Sequence, residues 1–231
     1  MIAETLSLRV ELHLHTLFSK DSLLPLDKMI ERARELGVNR VAVTDHNEID
    51  GAFAAHELAP DLIIVGEEIK TTKGELLGYF MTEKVPEGLS PEETIQRLKD
   101  QGAVISVAHP FDRRGGKLWE MADLEAIAPA LDAVEVFNAR CLTMEPNEQA
   151  QDFARQHGLV GTAGSDAHSA YELGTATLAL PAFQTAEEFR EALGAAEIEG
   201  HLSPPYVRLI SRHASLTKKR RQEADANNKP S

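Results

Sequence analysis

Histidine and carboxylate side chains in this sequence are concentrated where predicted strands end. His13 and His15 lie two residues apart in an extended segment, a spacing that turns both imidazoles to the same side. His46, Glu68 and His109 end later predicted strands in the same way. Imidazoles and carboxylates together suit Zn, Mn or Fe, and a single cysteine cannot supply a thiolate cluster. The pattern therefore predicts a metal site assembled from several strand ends.

Two further predicted strands also end in candidate ligands. Glu135 and Asn138 close one of them, and Asp166 and His168 directly follow the other. A mononuclear catalytic zinc site needs only about three protein ligands. The candidates are roughly three times as many, which favours two or three divalent cations that share bridging carboxylates.

Some nearby polar residues are expected to play other parts. Glu67 and Glu68 face opposite sides of an extended chain, so one is expected to be a ligand and the other a solvated or salt-bridged carboxylate. Asp45 is expected to accept a hydrogen bond that orients an imidazole, with Asn138 supporting the ligands from behind. The histidines on predicted helices or late loops are expected to be structural: His56, His157, His201 and His213.

Short apolar segments alternate with amphipathic helical segments along the chain. Strands are predicted at residues 8–14, 40–44, 62–69, 103–108, 133–137, 159–163 and 175–180, and helices at residues 26–36, 90–100, 145–157 and 185–193. The second helix is predicted to begin with a capping box, with Ser90 as N-cap, Pro91 at the first position and Glu93 three residues after the cap. Residues 75–81 are predicted to return from the third strand as a hairpin. No glycine-rich phosphate loop opens a helix, so a closed α/β barrel is favoured over an open doubly wound sheet. In such a barrel the carboxyl ends of the strands share one mouth.

Composition limits the classes of protein that this chain can belong to. With 231 residues, 42% hydrophobic and 26% charged, it is typical of one globular domain, assigned here to residues 1–211. No apolar run is long enough to span a bilayer, and no signal peptide is evident. The lone Cys141 is expected to be a packing residue, and a cytoplasmic location is expected.

Charge is distributed unevenly along the chain. The net charge is −13, although basic residues outnumber acidic ones in the last twenty residues. The acidic body and the 5% aromatic content argue against a long nucleic-acid track. Residues 212–231 are predicted to be a basic, disordered tail, and removing the residues after Leu216 is expected to leave hydrolysis of small substrates unchanged.

At the histidine and carboxylate motifs that end its predicted strands, the chain resembles the PHP (polymerase and histidinol phosphatase) family. The resemblance rests on ordered segments between residues 13 and 168, and it implies a single-domain, distorted (β/α)7 TIM-like barrel with a trinuclear cluster of Zn, Mn or Fe. It implies nine ligands: His13, His15, Asp21, His46, Glu68, His109, Glu135, Asp166 and His168. Asp21 is included on the resemblance alone, since it lies in what reads as an exposed turn. Glu67 occupies a position that is usually apolar in relatives, so its role stays open.

The resemblance also implies a reaction, hydrolysis of a phosphate ester by a metal-bridging hydroxide. Arg113, Arg114 and Arg140 lie near the predicted mouth and are candidates for phosphate binding, with a solvated surface charge as the alternative for each. The favoured substrate is a small nucleotide phosphate, such as a 3′,5′-bisphosphate, or a short oligonucleotide. The alternative is histidinol phosphate or another small metabolite. An amidohydrolase-like enzyme cleaving C–N or C–O bonds and a non-catalytic metal-binding regulatory module also stay open.

Overall fold

A nine-stranded sheet is the framework of the protein in a computed structural model that describes residues 7–113 and 119–227. The strands are β1 (Ser7–Glu11), β2 (Arg40–Val43), β3 (Ile63–Lys70), β4 (Glu75–Tyr79), β5 (Val104–Val107), β6 (Ala133–Asn138), β7 (Val160–Gly164), β8 (Ala176–Pro181) and β9 (Glu197–Gly200). Their order in the sheet is β7-β6-β5-β4-β3-β2-β1-β8-β9. Because β7 also lies against β8, the sheet curls into a nearly closed barrel.

Strand direction explains why the barrel is distorted. Strands β1 to β3 are parallel to one another, as are β5 to β7. Strand β4 runs antiparallel to both of its neighbours, and β8 and β9 add an antiparallel edge beside β1. The predicted α/β barrel is confirmed, and the predicted hairpin return is β4. Strand β9 was not predicted.

The described residues contain seven α-helices, of which the first six connect strands and the last follows β9: α1 (Leu26–Glu35), α2 (Asp50–Leu58), α3 (Pro91–Asp100), α4 (Met121–Ile127), α5 (Glu145–His157), α6 (Ala186–Leu193) and α7 (Val207–Asn227). The four predicted helices are present, whereas α2, α4 and α7 were not predicted. Helix α3 begins with the predicted capping box, in which Ser90 and Glu93 each accept the other's backbone N–H. None of the helices in this part of the chain is both long and apolar enough to cross a bilayer.

Apolar side chains pack on both faces of the sheet. Val41 and Ile105 point outward into a cluster with the surrounding helices, whereas Ala42 and Val104 point inward to a second cluster. The inner cluster includes Phe189 of α6. This alternation is the period-two pattern of strands buried on both faces. The two apolar clusters cover the faces of the sheet, whereas polar side chains lie at the carboxyl ends of the parallel strands.

The prediction of a disordered tail is wrong for residues 212–227, which belong to α7. The basic residues of this segment have good helix propensity, but their charge obscured a docking face. Val207 and Ala214 are buried at helical spacing. Further along, Nζ of Lys218 donates to the carbonyl oxygens of Leu17, at 2.5 Å, and Ser19. The predicted boundary after residue 211 therefore falls inside a helix, and residues 228–231 lie outside the described residues.

Candidate metal centre

Polar side chains from six parts of the barrel meet at the carboxyl ends of its parallel strands. Strand β4 contributes through its first residue, because an antiparallel strand begins where its parallel neighbours end. The cluster contains five imidazoles and four carboxylates: His13, His15, His46, His109, His168, Asp21, Glu68, Glu75 and Asp166. The structure thus brings eight of the nine predicted ligands into one cluster, and adds Glu75.

Glu68 is the centre of this cluster. Its Oε2 atom lies 2.7 Å from Nδ1 of His46 and 3.4 Å from Nε2 of His13. The same oxygen lies 3.4 Å from Nε2 of His15, and Oε1 lies 3.0 Å from Nε2 of His109. A carboxylate that reaches four imidazoles through two oxygens has the arrangement needed to bridge neighbouring cations.

Two aspartates connect further imidazoles to the cluster. Oδ1 of Asp166 lies 3.2 Å from Nε2 of His15. Oδ2 of Asp21 lies between two rings, 3.3 Å from Nε2 of His46 and 3.2 Å from Nε2 of His168. The resemblance alone placed Asp21 among the ligands, and the structure brings it into contact with two rings of the cluster.

Four groups of three residues bring potential ligand atoms within 4.8 Å of one another. They share members, since His13, His15, His46 and Glu68 each belong to two groups. The groups are His15–His46–His168, His13–His15–Asp166, His13–Glu68–His109 and His46–Glu68–Glu75. The overlap concentrates potential ligand atoms in one small part of the barrel.

Buried polar atoms without hydrogen bonds test whether the cluster fits metal ions. Among the described residues, Nε2 of His13, both ring nitrogens of His15 and Oε2 of Glu68 are buried and make no hydrogen bond of standard geometry, although atoms of opposite charge preference lie within 2.7–3.4 Å of several of them. Leaving polar atoms buried and unpaired is costly, so most such atoms in proteins are satisfied. Nε2 of His13 and Nε2 of His15 each lie 3.4 Å from Oε2 of Glu68. Because these three neighbouring atoms are of the types that bind divalent cations, the residues fit a metal centre.

Protonation of the metal-free cluster follows from the same contacts. Burial and the neighbouring His46 and His168 lower the pKa of His15 to about 3, so this ring is neutral at pH 7. Burial alone would lower the pKa of His109, but its contact with Glu68 raises it to about 10. Without metals, protonated imidazoles therefore balance the crowded carboxylates, and cations can take their place.

Glu135 lies behind the cluster. Its Oε1 atom is 2.9 Å from Nδ1 of His13, and its Oε2 accepts the backbone N–H of His109 at 2.8 Å and the Nδ2 amide of Asn138 at 3.1 Å. It was predicted as a ligand, yet both oxygens are engaged and it belongs to none of the four groups. Its geometry is that of a residue that orients an imidazole. Nδ2 of Asn138 also donates to Oδ2 of Asp166 at 3.4 Å.

Two other expectations require correction. Asp45 accepts hydrogen bonds from the backbone N and Oγ1 of Thr16, at 2.5 Å and 2.6 Å, so it holds the loop after β1 instead of a ring. Glu67 is neither solvated nor salt-bridged, because it is fully buried and accepts the backbone N–H of Val85 at 3.0 Å. Burial raises the pKa of Glu67 to about 7.

Glu75 is the acidic residue that the sequence interpretation missed. Its Oε2 lies 4.0 Å from Nε2 of His109, and it groups with His46 and Glu68. The signal was present in the prediction that residues 75–81 return antiparallel from the third strand. The first residue of such a strand must lie at the mouth.

The predicted arginines have different environments. Arg140 lines the cleft above the cluster, where Nη1 lies 2.5 Å from Nδ1 of His168 and Nε lies 3.3 Å from Oε1 of Glu172. Arg113 is exposed and lines clefts elsewhere, whereas Arg114 lies outside the described residues. Arg208 of α7, which was not predicted, also lines the cleft.

Unusual backbone conformations occur at this end of the barrel. His109 and Asp166 have φ angles of 23° and 52°, in the left-handed region that non-glycine residues seldom adopt. Gly164 has a different constraint, because a Cβ atom there would lie 2.3 Å from Cβ of His13. Strain and close approach at the strand ends are typical of sites where side-chain direction matters more than local stability.

An α/β barrel whose strand ends bring imidazoles and carboxylates together is an arrangement typical of the broad class of metal-dependent hydrolases. The PHP domain model matches residues 11–112, and the PHP-associated model matches residues 144–198. The chain therefore belongs to the PHP family, and the predicted resemblance is confirmed. It is a family of metal-dependent phosphoesterases.

The chain is similar to other proteins in sequence or in fold. The uncharacterized protein MJ0417 of Methanocaldococcus jannaschii is 35% identical over 175 residues, which cover 73% of this chain and 69% of the relative. A two-domain Bacteroides vulgatus protein containing a predicted PHP-like metal-dependent phosphoesterase matches with a TM-score of 0.70 at 20% identity, over 85% of this chain and 65% of that one. PsfC of Pseudomonas syringae matches with a TM-score of 0.68 at 20% identity, over 91% and 98%.

Proposed function

We propose that this protein hydrolyses a small phosphate ester with the help of two or three divalent cations, Zn, Mn or Fe. One observation carries the proposal, namely that Arg140 lines the same cleft as the imidazole and carboxylate cluster. The cluster alone would suit many hydrolases. A guanidinium beside it adds recognition of phosphoryl oxygens, which arginine binds with directional, charge-assisted hydrogen bonds.

The residues that would hold the cations are the clustered ones described above, with Glu68 at their centre. Bound divalent cations would supply Lewis-acid polarisation of the phosphoryl oxygens and a lowered pKa for water. Glu135 keeps a proton on Nδ1 of His13, which leaves Nε2 to face the cluster. Arg140 is held for substrate binding by Glu172 and by Oγ of Ser211, to which its Nη2 donates at 2.8 Å.

Among phosphate esters we favour a nucleotide, such as a 3′,5′-bisphosphate, or a short oligonucleotide. Tyr171 and Tyr206 are exposed, with ring centroids 6.4 Å apart, and each lies within three residues of a side chain that lines the cleft. Exposed aromatic rings of this kind can stack on a nucleobase. The cleft volume of about 230 Å³ suits a small substrate better than a long polymer. Histidinol phosphate or another small metabolite is the alternative.

A substrate panel with metal analysis tests the proposal. Purified full-length protein would be assayed for phosphate release from nucleotide monophosphates, a 3′,5′-bisphosphate, short oligonucleotides, histidinol phosphate and p-nitrophenyl phosphate, with its metals measured by elemental analysis. We expect metal-dependent release that His13→Ala abolishes and His213→Ala, at an exposed position of α7, does not. Release from none of these esters by metal-loaded protein would reject the proposal. Cleavage of amides or lactones instead would favour an amidohydrolase-like enzyme.

A further inference from the structure

Helix α7 lies against the mouth of the barrel through one face. Val207, Ser211, Ala214 and Lys218 follow one another at helical spacing, and each is buried or bonded to the barrel. The segment before the helix is fixed as well, since the backbone N–H of Ser203 donates to the carbonyl oxygen of Ala139 at 2.7 Å. The chain is therefore held to the barrel both before the helix begins and at Lys218, three turns along it.

Arg208, on the first turn of this helix, lines the cleft, and only one of its three guanidinium nitrogens donates a hydrogen bond to the described residues. Its Nη2 donates to the carbonyl oxygen of Arg140 at 2.5 Å and lies 3.3 Å from Oδ2 of Asp112. Within the described part of the chain, its Nε and Nη1 atoms make no hydrogen bond. The side chain is 28% exposed, so it is accessible from the cleft.

Arg140 differs from Arg208 in this respect. All three of its guanidinium nitrogens face protein groups, with Nη1 at His168, Nη2 at Ser211 and Nε at Glu172. These contacts fix the orientation of the Arg140 guanidinium, and few of its N–H groups remain for binding a substrate. A substrate anion in the cleft would find its additional donors on Arg208.

We propose that Arg208 binds a phosphate oxygen of the substrate and determines affinity for it, which makes α7 part of the active site. This inference deepens the proposed function and rests on it. Asp112 and the Arg140 carbonyl hold one nitrogen of the guanidinium, so its remaining donors are already oriented when substrate arrives. Such preorganisation limits the entropy that is lost on binding.

Binding and kinetics of Arg208 variants test the proposal on the metal-loaded, full-length protein. Arg208→Ala should weaken binding of inorganic phosphate, measured by calorimetry, by about tenfold to a hundredfold, since hydrogen bonds to charged groups contribute that much. KM for the best phosphate ester should rise by a similar factor, with a smaller change in kcat. Arg208→Lys should recover part of the loss. The matched control is Arg212→Ala, which removes the same charge from an exposed position of the same helix and should change neither value more than twofold.

Several outcomes would overturn the inference. One is unchanged phosphate affinity and KM in Arg208→Ala, and another is an equal loss in Arg212→Ala. Wild-type protein that binds no phosphate would also reject it. If Arg208→Ala unfolds, Arg208→Gln retains the length of the side chain and gives the same comparison. The proposed function is tested separately. Wild-type protein that binds phosphate through Arg208 but cleaves no ester would reject the proposed function and leave the role of Arg208 in phosphate binding.

Discussion

Nδ1 of His13 lies 2.9 Å from Oε1 of Glu135, and both side chains are buried. With the proton on Nδ1, the ring donates to this carboxylate, and Nε2 is left as the free acceptor among the cluster of carboxylates and imidazoles. A carboxylate behind a histidine ligand fixes the tautomer and makes the metal-facing nitrogen more basic. The contact therefore controls how well His13 can bind a cation.

Replacing Glu135 with glutamine should weaken metal binding without abolishing it. The amide is neutral and can present an N–H to the ring, so the required tautomer is no longer enforced. We expect about a tenfold to hundredfold loss of Zn or Mn affinity, the usual effect of removing such a partner. Competition with a chelating dye would measure it. The exposed Glu145→Gln serves as the control, and equal affinities in the two variants would show that Glu135 has no orienting role.

The adjacent Glu67 and Glu68 allow a matched comparison, because they face opposite sides of β3. Glu68→Gln removes the carboxylate that contacts four imidazoles, and we expect it to lower the number of bound metals and to abolish phosphate release. Glu67→Gln should leave both unchanged, since its partner is the backbone N–H of Val85. Elemental analysis after gel filtration would measure the number of metal ions bound by each variant. Full metal content in Glu68→Gln would contradict a bridging role.

The pH dependence of stability should report the burial of Glu67. Burial raises its pKa in the folded protein to about 7 from an ordinary value of 4.5, so the folded state binds more protons between these values. Below pH 4.5 Glu67 is protonated in both states, and the free energy of unfolding is at its full value. It falls as pH rises from 4.5 to 7, and above pH 7 the loss is complete. Glu67→Gln keeps an acceptor for Val85 but cannot ionise. At pH 8 its free energy of unfolding should exceed that of wild type by roughly 1–3 kcal/mol, and at pH 5 the two should be similar.

Urea denaturation of metal-saturated protein at both pH values would measure this difference. Glu145→Gln again provides the control, since an exposed carboxylate should give no such pH-dependent gain. The same difference in stability at pH 5 and pH 8 would mean that Glu67 does not titrate as described.

Removing the residues after Leu216 should reduce activity, contrary to the expectation from sequence. The truncation deletes Lys218, whose Nζ contacts the carbonyl oxygens of Leu17 and Ser19 beside Asp21. Lys218→Ala alone should destabilise the protein by about 1 kcal/mol and lower kcat/KM several-fold. The neighbouring Lys219→Ala, at an exposed position, should have no effect. Thermal unfolding and steady-state kinetics would compare the two, and identical behaviour would argue that α7 is not held by this contact.

Local sequence patterns predicted much of the fold. Helix α3 was predicted from Ser90, Pro91 and Glu93, whose capping interactions involve residues close together in the chain. Prediction failed where a segment depends on distant contacts. The charged sequence of α7 has no continuous apolar stripe, and only docking of Val207 and Ala214 against the barrel shows that the helix belongs to the domain.

The sequence by itself determined that imidazoles and carboxylates end several strands, because residue type and period-two spacing are properties of the chain read locally. Only the tertiary structure decided what each of these groups does. Glu75 joins the cluster because β4 is antiparallel, and Glu135 lies behind His13 because of where β6 lies relative to β1. Arg208 reaches the cleft through the docking of a distant helix. Strand direction and helix docking arise from packing between segments far apart in sequence, so no local pattern contains them.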